Sequence, residues 1–126
     1  MKKYLILLVV IISIITVLSG LLQLTVPGFV LAFVGAEITP ASRHFFAIVG
    51  MFMALFGAMM LHAVYSFRKN DAAVFWAAMQ KLGASAAVGL GIAHGIFNTM
   101  SAFVAVFDLL SGIIFLWYYA DLYKSR

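Results

Sequence analysis

The chain has 126 residues, of which 66% are hydrophobic and only 10% charged, with a mean hydropathy of +1.15. A soluble domain carries about a quarter charged residues, and a chain this short has too little interior to hide so much apolar surface, so lipid is the expected solvent. The net charge of +4 does not point to nucleic acid, because the basic residues sit at the ends of apolar runs and form no patch. Cysteine is absent. That excludes disulfides, iron–sulfur clusters, covalent c-type haem and thiol–disulfide chemistry.

A hydrocarbon core of about 30 Å needs about 20 helical residues to cross it. The first such run covers residues 4–26 and holds no charge. It follows Lys2 and Lys3, as a secretory signal would, but it continues past a signal's usual length and no A-x-A site follows. Rich in Leu, Ile and Val and without a small-residue stripe, it is expected to face lipid broadly. Pro27 ends or kinks it. Residues 28–35 are apolar but too few to cross, and are expected to lie in the outer interface as a short helix or re-entrant turn.

Thr39 or Ser42 is the expected N-cap of the second span, residues 43–67. The connector Arg68-Lys69-Asn70-Asp71 leads to the third, residues 72–97, with Lys81 inside it. Residues 98–101 join it to the fourth, residues 102–120, which contains Asp108. Backbone polar groups in lipid must bond within their own segment, so all four spans are helices. Short connectors make neighbours antiparallel. The expected fold is a single all-α integral membrane domain over residues 1–126, a four-transmembrane-helix up-down bundle.

In that arrangement Lys2, Lys3, Arg68, Lys69, Lys124 and Arg126 gather on one side, while Arg43 stands on the other. The positive-inside rule makes the richer side cytoplasmic and puts both termini there, in a bacterial inner membrane. Tyr4, Tyr65, Trp76, Trp117, Tyr118, Tyr119 and Tyr123 fall near the same side, as an interfacial belt does.

The third span repeats small residues at Gly83, Ala87, Gly91 and Gly95, and the second carries Gly50, Ala54 and Ala58 with Gly57 beside them. Such stripes let backbones approach closely, either inside the bundle or at a homodimer seam. Met51, Met53, Met59 and Met60 read as adaptable filler.

Ionisable side chains within a membrane are costly, and each is a site candidate. Glu37, Arg43, His44, His94, Asn98 and Asp108 are expected to share one outer layer, His94 and Asn98 lying four apart on one helical face. Three readings compete. Arg43 and Asp108 can form a buried pair that fixes helix register. The layer can bind a small amphipathic molecule such as a quinone or a lipid head group. The histidines and a carboxylate can hold a metal, although no HxxxH or ExxH spacing supports that. A bis-histidine haem would pair His44 with His94, which lie at similar depth; His62 has no such counterpart, but a lone histidine, His62 included, can hold a chlorophyll magnesium. No cofactor is firmly implied. Lys81 is expected to snorkel to the cytoplasmic interface, with a reach to Asp108 as the alternative. On the outer-layer reading, Asp108→Leu does more harm than Lys81→Leu.

Pro27, Gly35 and Arg43, followed by Gly50 and Gly57, resemble the P…G…R-x(6)-G-x(6)-G pattern of DoxX-like small bacterial four-helix membrane proteins. The resemblance implies a role for Arg43. Some members of that group are linked to quinone-dependent oxidation or act as assembly partners, and the resemblance carries no activity over to this chain. GxSxG, P-loop, GxGxxG and HExxH motifs do not occur. Small multidrug transporters rely on a glutamate in their first helix, where this chain offers Ser13, Thr16, Ser19, Gln23 and Thr25. The expected function is a non-catalytic accessory or assembly subunit of a larger membrane complex, its partners being the bilayer and other membrane helices or a second copy. The alternative is a binder or enzyme for a lipophilic molecule in the outer polar layer.

Overall fold

The computed structural model describes residues 2–124; Arg126, one of the basic residues expected on the cytoplasmic side, lies outside them. The described residues form five helices: α1 Lys2–Thr25, α2 Pro27–Val34, α3 Pro40–Tyr65, α4 Asp71–Ala93 and α5 Ser101–Lys124. All but α2 are long and apolar enough to cross a membrane, which marks a multi-pass membrane protein. Only 17–33% of each span is buried inside the protein. The remainder presents side chains such as Leu18, Phe45, Leu55, Phe103 and Ile113 outward, an apolar surface far larger than a soluble monomer exposes.

Local sequence explains the helix boundaries. Pro27 sits in the first turn of α2, where a missing N–H is no loss. Gly35 closes α2 with φ 72°, its N–H donating to the Ala32 carbonyl while the Ala36 N–H reaches back to Leu31. That is a Schellman closure, which needs a residue at ease in the left-handed region. Thr39 and Ser42 both take part in the start of α3. The Thr39 hydroxyl accepts from the Ser42 N–H and the Ser42 hydroxyl accepts from the Thr39 N–H, a reciprocal capping box.

Helix α4 stops at Ala93 and does not run on to residue 97. Gly95 takes φ 73° and its N–H donates to Ile92, while the Ile96 N–H donates to Gly91. This second Schellman closure means that His94 and Asn98 do not share a helical face.

Helix α1 packs along α3 and α4 along α5, with lesser contact between the two pairs through α3–α4 and α1–α5. The α1–α3 seam is close backbone packing. A Cβ on Gly20 would stand 2.5 Å from the Ala54 nitrogen, and one on Gly50 would stand 2.7 Å from the Gly20 carbonyl oxygen. Gly57 sits against Ser13 and Val17 in the same way. Contrary to expectation, α1 does carry a stripe of small and polar residues. Ser13, Thr16, Gly20 and Gln23 are all buried, while its Leu and Ile residues on the other faces point outward.

On α4, by contrast, Gly83 meets nothing within 4 Å, nor does Gly95 in the turn beyond its end, and Gly91 is covered by the ring of Phe97 from that turn. Ala87 is exposed. Helix α4 meets α5 elsewhere, through Leu82 over Gly112 and a hydrogen bond from the Ser85 hydroxyl to the Ala105 carbonyl, 2.7 Å.

The two ends of the bundle differ. At the end holding the start of α1 and the end of α5, Val9, Met60, Val74, Ala78, Phe115 and Tyr118 form a closed apolar core. Lys2 and Asp121 approach to 3.6 Å there, and the rings of Phe75, Trp76, Tyr119 and Tyr123 contact one another in series. At the other end α2 folds in beside α1 and α3, and the bundle beneath it is hollow.

Candidate functional site

The hollow end has a polar floor built from three helices. Thr16 of α1 donates its hydroxyl proton to the Ile12 carbonyl one turn back, 2.8 Å. Mid-helix threonines often do this, and here it leaves the hydroxyl oxygen to act as an acceptor. The Lys81 ammonium of α4 donates to that oxygen at 2.6 Å and to Asp108 Oδ1 of α5 at 3.4 Å. Lys81 is 3% exposed and Asp108 8%. The Lys81 nitrogen also stands 5.1 Å from the centre of the Phe107 ring, within cation–π range. The lysine therefore does not snorkel. Its stem is held inside the bundle by a hydroxyl, a carboxylate and a ring from two other helices.

Two cavities share this floor. One, of 420 Å³, lies between α1, α2 and α5, with Leu22, Phe29, Phe33 and Phe103 among its walls. The other, of 580 Å³, lies between α2, α3 and α4, with Phe46, Val49, Val88 and Phe97 among its walls. Gln23, Val30, Met53, Lys81, Val104 and Asp108 line both. Each cavity follows one of the looser junctions of the bundle, α1–α5 or α3–α4. Gln23 is fixed by donating its side-chain N–H to the Phe46 carbonyl of α3, 3.0 Å.

The roof is tied down by Asn98. Its side-chain amide donates to the Phe33 carbonyl at 3.1 Å, and its backbone N–H donates to the Val34 carbonyl at 2.7 Å. The Ser101 hydroxyl reaches the same Val34 carbonyl at 3.3 Å. Asn98 also packs against Gly35, where a Cβ would come within 2.9 Å of its side chain.

The outer layer expected from the sequence is only partly assembled. Glu37, Arg43 and His44 are exposed. The Arg43 guanidinium lies over Gly28 at the start of α2, and Asp108 has Lys81 as its ion partner. The His44 ring packs edge-on to the neighbouring Phe45. His94 is exposed at the end of α4 and lines the larger cavity with Asp108. His62 is exposed near the end of α3. Among the described residues no three of His, Asp and Glu come together as metal ligands do.

Thr16 and Gln23 are site residues that the sequence reading did not single out. Their signal was the spacing Ser13, Thr16, Gly20, Gln23, one polar or small residue per turn on an otherwise aliphatic helix. No protein-family model, curated protein or solved structure matches this chain.

Proposed function

We propose that the chain is an up-down four-helix protein of the bacterial inner membrane, with both termini cytoplasmic, that binds a lipophilic small molecule in the two cavities. One observation carries this reading: the buried Lys81–Asp108 pair is the common floor of two mostly apolar cavities. Ligand pockets are typically about 300–1,000 Å³, apolar, with a few convergent polar groups that fix orientation. The looser α1–α5 and α3–α4 junctions give a membrane-dissolved molecule a sideways route to the polar floor. The site offers groups that hold and orient a ligand, which favours binding over catalysis.

A photoactivatable alkyl diazirine, applied to membranes containing the full chain, tests this. Saturable labelling of Met53, Val104 and Phe107 is expected. Label confined to outward residues such as Leu55 and Leu110, rising without saturation, would overturn the reading.

A second reading, an accessory subunit of a larger membrane complex, is favoured by the outer face of α4. Gly83 there has open space where a side chain would stand, and Ala87 one turn on is exposed, which suits close approach by another helix. Cysteine cross-linking from Gly83→Cys in native membranes would trap that neighbour; its absence from every cross-linked product would remove this reading.

A further inference from the structure

We infer that the site takes a neutral, hydroxyl-bearing lipid with two hydrocarbon chains, the hydroxyl on the Lys81–Asp108 pair and one chain in each cavity. This rests on the binding reading above and goes further by naming the ligand's charge and its shape.

The charge follows from the pair itself. Lys81 and Asp108 together are neutral and are both buried. An anionic head group drawn to Lys81 would leave two negative charges for one positive in a low-dielectric site, and a cationic one drawn to Asp108 would create the opposite excess. Either outcome strands a charge where stranding is expensive. Gln23, Thr16 and Ser19, the other polar side chains of the smaller cavity, are uncharged; the larger one adds Gln80, also uncharged, and the exposed His94. A neutral head group adds no charge to be balanced.

The hydroxyl follows from the donors and acceptors. An ammonium has three N–H donors and no acceptor, and an ionised carboxylate accepts only. Thr16 and Asp108 take two of the Lys81 donors. A ligand hydroxyl beside the pair can accept from the third and donate its own proton to the carboxylate. A carbonyl or an ether meets only the lysine, and neither satisfies the acid.

The two chains follow from the shape. The two cavities share the Lys81–Asp108 floor and are otherwise lined mainly by different helices, α1, α2 and α5 for one and α2, α3 and α4 for the other. Phe29, Phe33 and Phe103 wall one, and Phe46, Val49 and Phe97 wall the other, with Val30 of α2 standing at both. A single-chain molecule anchored at the pair fills one and leaves the other, whereas a molecule branched next to its hydroxyl fills both. Diacylglycerol has this form.

Native mass spectrometry of the detergent-solubilised full chain tests the inference, using diacylglycerol, phosphatidic acid with the same two chains, and monoacylglycerol at equal concentration. Retention of diacylglycerol at least tenfold above each of the others is the expected result. Phosphatidic acid retained as well as diacylglycerol would overturn the neutral-head claim. Monoacylglycerol retained as well would overturn the two-chain claim. Retention of none of the three, in a protein that still shows saturable diazirine labelling inside the cavities, would overturn this inference and leave the binding reading intact; loss of that labelling too would end both. The paired variant Lys81→Met/Asp108→Leu should lose the preference for the hydroxyl lipid over a two-chain hydrocarbon of equal size. The comparison of the three lipids needs only the unaltered chain, so it stands even if the variant does not fold.

Discussion

Lys81 and Asp108, 27 residues apart in sequence, form a buried ion pair across the α4–α5 junction, 3.4 Å between charged atoms. Each is the only charged side chain well inside its span. Each therefore needs the other, because breaking a buried pair from one side strands a charge, whereas replacing both partners with apolar groups need not destabilise. Lys81→Leu and Asp108→Leu should each destabilise the protein by about 3–5 kcal/mol. Lys81→Met/Asp108→Leu should recover most of that loss. This replaces the expectation that the aspartate matters more than the lysine. Denaturant titration in detergent micelles checks it: two single variants differing by several kcal/mol, or a double variant no better than either single, would contradict the pairing.

Thr16 holds the third point of the polar floor. Thr16→Val keeps the shape of the side chain and removes the 2.6 Å acceptor of Lys81. Interhelical hydrogen bonds in membranes are worth about 0.6 kcal/mol on average and up to about 1.7, and this one involves a charged donor. A loss of about 1–2 kcal/mol is expected, with Thr16→Ser close to the parent. The same titration reads both; equal stability of the valine and serine variants would mean that the hydroxyl is dispensable.

The α1–α3 seam should tolerate no added volume. Gly20→Leu and Gly50→Val would each drive a side chain into the facing backbone. Overpacking of a tight interior commonly costs about 1–3 kcal/mol. Gly83→Ala on α4 has open space around it and should change the stability of the isolated protein little or raise it, since alanine is the better helix former. A Gly83→Ala loss matching that of Gly20→Leu would show that the two faces have been confused.

Asn98 clamps α2 to the turn between α4 and α5 through two hydrogen bonds, one from its side chain. Asn98→Ala should cost about 1 kcal/mol and speed amide exchange across Pro27–Val34 more than in the four long helices. Hydrogen exchange with mass spectrometry follows this directly. Unchanged exchange in α2 would mean that the roof is held by packing alone.

Composition and apolar length made the four spans legible, and Pro27, Gly35 and the Thr39–Ser42 pair marked the borders of α2 and α3. The end of α4 was not legible. Gly95 reads as one more member of a small-residue stripe until its backbone is seen to be left-handed. Asp108 was legible as a site residue because a carboxylate inside a span demands a partner. Its partner was harder to name. Lys81 has a stem long enough to reach either the interface or the bundle interior, and the sequence alone does not show Thr16 and Phe107 waiting for it. The glycine stripes misdirected attention for a related reason. Spacing shows that a backbone can be approached, but it does not say by which helix. Gly50 and Gly57 are used by α1, whose own stripe was hidden among leucines and isoleucines, while Gly83 meets no other helix among the described residues.

On the binding proposal, the cavities above the Lys81–Asp108 pair hold a lipophilic molecule. Met53 lines both cavities, so Met53→Trp fills the shared space and leaves both charged residues in the chain. The most direct measurement is the occupancy of co-purifying lipophile, read by native mass spectrometry, in the parent protein and in this variant. The parent should carry a bound lipophile and Met53→Trp should carry none, with thermal stability equal or higher. A parent that carries no such species, or a variant that carries as much as the parent, would contradict the account.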